Sequence, residues 1–176
     1  MIRSISLTCT VAVFSATLAV AEDDRQVLEM EIDASIDRVW DACTTTAGFK
    51  SWAAPLADVD FKIGGKWRAN YNPQGKLGDA TTIENTILSY DPRRMLSIRP
   101  TRFPQGFPFV EAARKTWTVF YFSPITQART KVRLVGLGYT DDKQSQQLRA
   151  FFAQGNKFSL QKLSQALMQD EAEKQK

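Results

Sequence analysis

The stretch that decides the fold spans residues 32–67 and reads IDASIDRVWDACTTTAGFKSWAAPLADVDFKIGGKW. Four of its apolar residues follow the spacing i, i+3, i+4, i+7: Ile36, Val39, Trp40 and Cys43. This spacing gathers side chains on one face of a helix, and Ser35 is a suitable N-cap for it. A second short helix is expected to include Trp52, and a strand pair broken at Gly64-Gly65 follows. The order predicts an α+β domain in which a short amphipathic helix packs against a sheet.

Alternating apolar residues predict strands through most of the remaining chain. The predicted strands cover residues 26–33, 59–63, 66–71, 81–90, 95–99, 115–122 and 130–139. From Asp142 to Leu167 apolar residues recur at helical spacing, with Gly155 near the middle of this helix, and a charged tail follows over residues 169–176. We therefore expect a helix-grip arrangement, in which a curved antiparallel sheet of about seven strands wraps around a long C-terminal helix and leaves a hydrophobic cavity between them.

Residues 100–113 have neither a helical nor a strand period, and they contain Phe103, Phe107 and Phe109. A long apolar loop is expected here. Such a loop is either a lid or binding element, or a connection whose rings fold onto the edge of the sheet. Through its three rings, this segment is a candidate for transient contact with a membrane or a protein.

The N-terminal residues have the parts of a secretory signal peptide. Arg3 precedes an apolar run over residues 5–20, and Ala19-Val20-Ala21 forms an A-x-A cleavage site before three acidic residues. The sequence thus predicts a signal peptide over residues 1–21 and one mature domain over residues 22–176, exported to a bacterial periplasm. An uncleaved membrane anchor is the weaker alternative, because the run is shorter than the roughly 20 residues that cross a bilayer.

The composition argues against several functional classes. The chain has no histidine, which removes the commonest general base and the commonest metal ligand. After the leader only Cys43 is left, so neither an intramolecular disulfide nor a cysteine metal cluster is expected, and we read Cys43 as a buried, inert thiol rather than a reactive one. The net charge of +4 is small and scattered, which does not favour nucleic acid as a partner. No cofactor and no metal are predicted.

The chain resembles the START-like SRPBCC superfamily of helix-grip proteins, and within it proteins like the C-terminal domain of the activator of the 90-kDa heat-shock-protein ATPase. The stretches that carry the resemblance are Ile32-Asp33-Ala34-Ser35 leading to Val39-Trp40, Phe49-Lys50-Ser51-Trp52, Phe61-Lys62-Ile63-Gly64-Gly65-Lys66-Trp67, Tyr90-Asp91-Pro92-Arg93-Arg94-Met95-Leu96, and Phe151-Phe152 to Leu163. The resemblance implies a ligand cavity rather than a particular chemistry, since the superfamily includes lipid carriers, cyclases and co-chaperones. The co-chaperone role is not carried over, because the predicted leader directs the chain away from the cytosol.

Candidates for the cavity wall are large apolar residues expected on the concave face of the sheet and on the closing helix, for each of which ordinary core packing is the alternative. They are Trp52, Phe61, Trp67, Tyr71, Ile87, Ile98, Trp117, Val119, Tyr121, Leu134, Phe152 and Gly155. Polar groups that could orient a ligand are Asn85, which alternation places on the side of Ile83 and Ile87, Tyr121, Arg68 and Arg99. Glu84 is predicted on the opposite side.

These features predict an exported binding protein or carrier for a small hydrophobic ligand, lipid-like or aromatic. One alternative is an enzyme of the polyketide cyclase or dehydratase type, in which Glu84, Tyr121 or Asn85 moves a proton. Another is a periplasmic protein-interaction module that uses the sheet face and the phenylalanine loop. A deep closed cavity without a polar cluster favours the carrier, and a cavity with one convergent acid and a tyrosine favours the enzyme. A filled core with exposed Phe107 and Phe109 favours the interaction module.

Overall fold

The computed structural model describes residues 24–174 of the chain and the side chains of residues 24–170. The predicted signal peptide, residues 1–21, lies outside the described residues. The described elements, in chain order, are β1 (Gln26–Ile32), α1 (Ile36–Thr44), α2 (Thr46–Trp52), β2 (Leu56–Val59), β3 (Lys66–Asn70), β4 (Ile83–Asp91), β5 (Met95–Arg102), α3 (Val110–Arg114), β6 (Trp117–Thr126), β7 (Arg129–Leu137) and α4 (Lys143–Lys174).

The seven strands form one antiparallel sheet in the order β1-β7-β6-β5-β4-β3-β2. Consecutive strands from β2 to β7 are neighbours, and β1 joins the far edge beside β7. The sheet curls into a half-barrel with α4 lying along its concave side. The predicted α+β helix-grip fold, with two short helices after the first strand, is therefore confirmed.

Side-chain caps set the starts of the helices. The Ser35 hydroxyl accepts a hydrogen bond from the Arg38 backbone N–H at the start of α1, as the sequence predicts, and Thr45 caps α2 by accepting from Gly48 N–H at 3.0 Å. Asp142 caps α4, because its carboxylate accepts from the Ser145 backbone N–H at 3.0 Å. The hydroxyl of Thr140 and this N–H hold the pKa of Asp142 below its ordinary value.

Two segments differ from expectation. The strand predicted over residues 59–63 instead spans Leu56–Val59, because a tight turn begins at Asp60: Lys62 N–H donates to Asp60 O and Gly65 N–H donates to Lys62 O. The segment 100–113 is not one long loop. Its first residues extend β5 to Arg102, and its last residues begin α3.

The apolar interior is divided into two clusters. The larger one lies between the sheet, α1, α2 and the C-terminal half of α4, where Leu160 and Leu163 are each 1% exposed. The smaller one joins α3 to the N-terminal half of α4 through Ala113, Tyr139 and Leu148. Half-buried phenylalanines pack around it. The larger cluster positions the candidate site.

Candidate functional site

The concave face of the sheet is defined by alternation along the strands. In β3, Trp67 and Ala69 are buried while Arg68 between them is half-buried on the opposite face. Trp67 lies directly opposite Asn85 of β4, and Ala69 lies opposite Ile83. Asn85 therefore faces the helix side, as the sequence predicts, and its Cβ is expected about 5 Å from that of Trp67.

A row of paired residues crosses the concave face beside Trp67. Ile87 pairs with Ile98, Ile98 with Thr118, Thr118 with Gly136, and Gly136 with Gln26. At the end of this row the Gln26 side chain donates to Arg149 O at 2.6 Å and accepts from the Asn156 amide at 3.0 Å. These bonds fix α4 over β1.

Aromatic rings surround Trp67 on the helix side. Its ring stacks on Phe49 of α2 with centroids 4.3 Å apart, and it meets Phe120 of β6 edge to face at 5.9 Å. Trp52 contacts Phe49 from the same helix at 5.3 Å. Phe61 belongs to the same cluster but packs further along, against Trp40 and Tyr90.

Trp67 also carries the one unsatisfied polar atom in this interior. The indole Nε1 of Trp67 is buried and has no hydrogen-bond partner. Within the described residues, no other buried side-chain nitrogen or oxygen is left unpaired in this way. Trp52, an equally buried tryptophan, differs because its Nε1 donates to Ala42 O at 2.9 Å. A buried N–H without a partner costs about 1 to 3 kcal/mol of stability. Native structures seldom retain such a group without a reason.

Asn85 places a second polar side chain directly opposite Trp67 in the neighbouring strand. Its side chain is half-buried, and within residues 24–170 its amide makes no hydrogen bond. An amide can both donate and accept. The indole N–H of Trp67 and the Asn85 amide are therefore polar groups at paired positions of β3 and β4, on the helix side of the sheet.

Several predicted wall residues lie elsewhere. Trp117, Val119 and Tyr121 lie on the convex face of β6, whereas Phe120 and Phe122 point to the helix side. The prediction was wrong because both faces of β6 carry large apolar residues, so alternation alone does not tell inside from outside. Arg99 confirms the convex position of Trp117, since its guanidinium lies 5.9 Å from the centre of that ring.

Tyr71 and Gly155 are exposed to solvent and do not face the interior between the sheet and α4. Tyr71 follows the end of β3 and keeps 58% of its surface accessible. Gly155 lies on the solvent side of α4, and a Cβ built there would meet no other atom within 4 Å. Phe152 packs in the smaller cluster with α3. The structure brings the following members of the predicted set together in or beside the larger cluster: Trp52, Phe61, Trp67, Asn85, Ile87, Ile98 and Leu134.

The residues named for proton transfer do not converge. Glu84 lies on the convex face, where it pairs with Lys66 at 2.9 Å. Tyr121 lies on that face too and is 43% exposed. Of the three residues named for proton transfer, Asn85 is therefore the one that faces the interior. Arg68, expected to orient a ligand, instead binds Asp58 on the convex side.

Cys43 has no reactive character in this fold. The side chain is 1% exposed in the larger cluster. Burial raises the pKa of the Cys43 thiol to about 12. The thiol therefore stays protonated at neutral pH, in agreement with its interpretation as an inert core residue.

Grooves on the surface lie apart from this polar site. One, of about 310 Å³, runs between the end of α2 and α4 and includes Trp52, Pro55 and Lys162. Another lies beside Ser35 and Arg38. Neither groove includes Trp67 or Asn85 in its lining. Within the described residues, no three acidic or cysteine side chains approach closely enough to hold a metal ion.

Solved structures from several bacteria share this architecture. The chain is similar to protein MLL2253 from Mesorhizobium loti, at 18% identity and a TM-score of 0.64 over 82% of this chain and 97% of that one. It is also similar to the Aha1 dimer from Colwellia psychrerythraea, at 17% identity and a TM-score of 0.64 over 81% of this chain and 95% of that one. For CalU16 from Micromonospora echinospora the identity is 20% and the TM-score 0.58, over 81% of this chain and 75% of that one. At these identities the likeness establishes the fold alone.

The half-barrel sheet, the two short helices after the first strand and the long closing helix define a helix-grip protein of the START-like SRPBCC class. Residues 33–168 match the family described as Activator of Hsp90 ATPase homolog 1-like protein. Because this match covers well over half of the sequence, the chain belongs to that family. No curated protein matches the sequence.

Proposed function

We propose that the protein is an exported binding protein or carrier for a small hydrophobic ligand, lipid-like or aromatic, held between the sheet and α4. The observation that carries this proposal is the buried, unpaired indole N–H of Trp67, with the polar side chain of Asn85 directly opposite Trp67 in β4. The ligand has an apolar body that lies against the rings of the larger cluster. It also has an oxygen that accepts from Trp67.

The chemistry of the site supports such a ligand. A hydrogen bond from Trp67 Nε1 to a ligand oxygen removes the cost of burying a free donor, and the surrounding rings favour apolar surface. The fold of the family is compatible with a ligand of this kind. Export rests on the predicted signal peptide at residues 1–21 alone.

A carrier fits these positions better than an enzyme does. The cyclase alternative requires an acid or base that reaches the ligand, and Glu84 and Tyr121 lie on the convex face. Asn85 binds and orients a polar group but does not transfer protons at neutral pH. The geometry favours binding.

Two related probes test the role of Trp67. A naphthyl ketone has a carbonyl oxygen that accepts a hydrogen bond, and naphthalene does not. We expect Trp67→Phe to weaken binding of the ketone by roughly two- to tenfold, the strength of one neutral hydrogen bond, and to leave binding of naphthalene almost unchanged. Fluorescence titration of the purified protein measures both affinities.

The matched control is Trp52→Phe, because the Trp52 N–H is already bound to Ala42 O. This variant should bind the two probes with the same ratio as the unaltered protein. The proposed site is contradicted if Trp67→Phe lowers the affinity for both probes equally, or if neither probe binds to the unaltered protein. Native mass spectrometry of protein purified from its own organism then identifies the retained hydrophobic molecule.

A further inference from the structure

Four phenylalanine rings form a continuous apolar area outside the larger cluster. Phe107 and Phe109 lie within 6.0 Å of the Phe151 ring, measured between centroids. Phe158 lies two turns further along the same side of α4. Phe151 is 51% exposed and Phe158 is 61% exposed. We call these four residues the phenylalanine surface.

Positive charge is concentrated in the segments that form this surface. Residues 103–115 and 143–169 contain six of the 23 Lys and Arg residues but one of the 19 Asp and Glu residues, a net charge of +5 in a chain whose total is +4. The rest of the chain is therefore net negative. Between Asp142 and Asp170, α4 carries no acidic residue at all.

Some of these cations lie beside the rings. The guanidinium of Arg114 is 5.9 Å from the centre of the Phe103 ring, which itself stacks on Phe107 at 5.3 Å. The Lys162 ammonium is 5.8 Å from the centre of the Phe158 ring. Lys157 is exposed next to Phe158. The surface thus combines exposed rings with adjacent cations.

We infer that the phenylalanine surface docks the protein on an anionic phospholipid bilayer. A bilayer of this kind presents negative headgroups directly above an apolar layer, which matches a row of rings bordered by cations. Each Lys or Arg near such a surface strengthens association about fivefold, and rings that enter the acyl boundary add to this. No helix in the described part of the chain is long and apolar enough to cross a bilayer. The contact is peripheral.

An acidic protein partner is a poorer match. Protein interfaces around exposed rings have a polar rim with charges of both signs. Here residues 143–169 of α4 contain no acidic residue, although Asp170 and two glutamates follow before the helix ends. A uniform anionic plane faces several cations together, whereas a folded partner must place a separate acid at each.

Vesicle flotation with the full mature chain tests this inference. We expect binding to vesicles that contain phosphatidylglycerol, weak binding to phosphatidylcholine alone, and a decline as salt is raised. The double variant F151S/F158S should lower the partition coefficient about tenfold or more, because two exposed rings no longer enter the bilayer. The double variant R114E/K157E should lower the partition coefficient at least tenfold at low salt. This difference from the unaltered protein should disappear at high salt.

Matched controls come from the far side of the molecule. Ile63 is 69% exposed and Arg94 is 81% exposed by side chain. Ile63→Ser and Arg94→Glu should bind vesicles like the unaltered protein, and circular dichroism verifies that all variants are folded. The inference is wrong if phosphatidylglycerol gives no advantage over phosphatidylcholine, if the control changes weaken binding as much as F151S/F158S, or if polyglutamate binds as tightly with the same dependence on Phe151 and Phe158.

Discussion

The molecule has two aromatic regions, which differ in whether protein or water covers the rings. Around Trp67 the rings of Phe49 and Phe120 are backed by the sheet on one side and by helices on the other, and each is less than 10% exposed. The rings of the phenylalanine surface come from a loop and one side of α4, with solvent in front of them. The same residue type therefore stabilises the fold in one region and forms an accessible surface in the other.

The largest expected effect separates the two regions by stability. Phe120→Ala should lower the free energy of unfolding by about 3 to 5 kcal/mol, because Phe120 is 7% exposed and contacts Trp67 and Phe122. Phe151→Ala should cost about 1 kcal/mol or less, since half of its ring is already in water. Urea denaturation of both variants measures the difference. Similar losses in the two variants would mean that the phenylalanine surface belongs to the core.

Sequence alone predicts the framework of the interior region but not its polar site. Caps and periodicity indicate α1, α2 and the start of α4, because these signals are local. The pairing of Trp67 with Asn85 is not local: it depends on the register of two strands and on which indole N–H finds a partner. The amide of Asn85 could be identified as inward-facing, whereas the free N–H of Trp67 left no signal in the sequence.

The errors occurred where a local pattern was ambiguous. In β6 both faces are apolar, so Trp117 and Tyr121 were assigned to the interior in place of Phe120 and Phe122. In α4 the apolar stripe is broad, so Gly155 was placed on the buried face. Long-range packing decides both cases.

A second test uses pH, since the two regions differ in the carboxylates that hold them. The cap of α4 depends on Asp142, whose pKa is lowered from its ordinary 3.8 first by the Thr140 hydroxyl and then by the Ser145 N–H. A lowered folded pKa contributes stability above the unfolded pKa, and that stability is lost as pH falls through the folded pKa. Below pH 3.8 we therefore expect the first turns of α4, and with them the phenylalanine surface, to open before β6 and β7 do, since these two strands contain no carboxylate.

Hydrogen exchange measures this order of opening. Protection factors for the first turns of α4 should fall on acidification more than those of β6 and β7. Asp142→Ala should lower protection at the start of α4 already at neutral pH and should remove most of its response to acid, because its carboxylate is no longer there to protonate. Parallel loss of protection in α4 and β6 would show that the two regions open as one unit.

The smallest expected effect concerns the side of α4 that carries the phenylalanine surface. Gly155→Ala should raise the free energy of unfolding by up to about 1 kcal/mol, because alanine is the better helix former and its Cβ meets no atom within 4 Å. Calorimetry measures the change. Gly48→Ala is the matched contrast: its Cβ would lie 2.3 Å from Asp41 O, so it should destabilise the protein.

Gly155→Ala also distinguishes the two regions by binding. Because Gly155 is exposed between Phe151 and Phe158 and far from the sheet, binding of the naphthyl ketone at Trp67 should remain unchanged. The affinity for vesicles should also remain unchanged, since an added methyl group leaves the rings of Phe151 and Phe158 accessible. A variant that loses ketone binding or becomes less stable would instead place residue 155 against the ligand, as the helical pattern of the sequence suggests. The sign of the stability change therefore identifies the face of α4 to which this residue belongs.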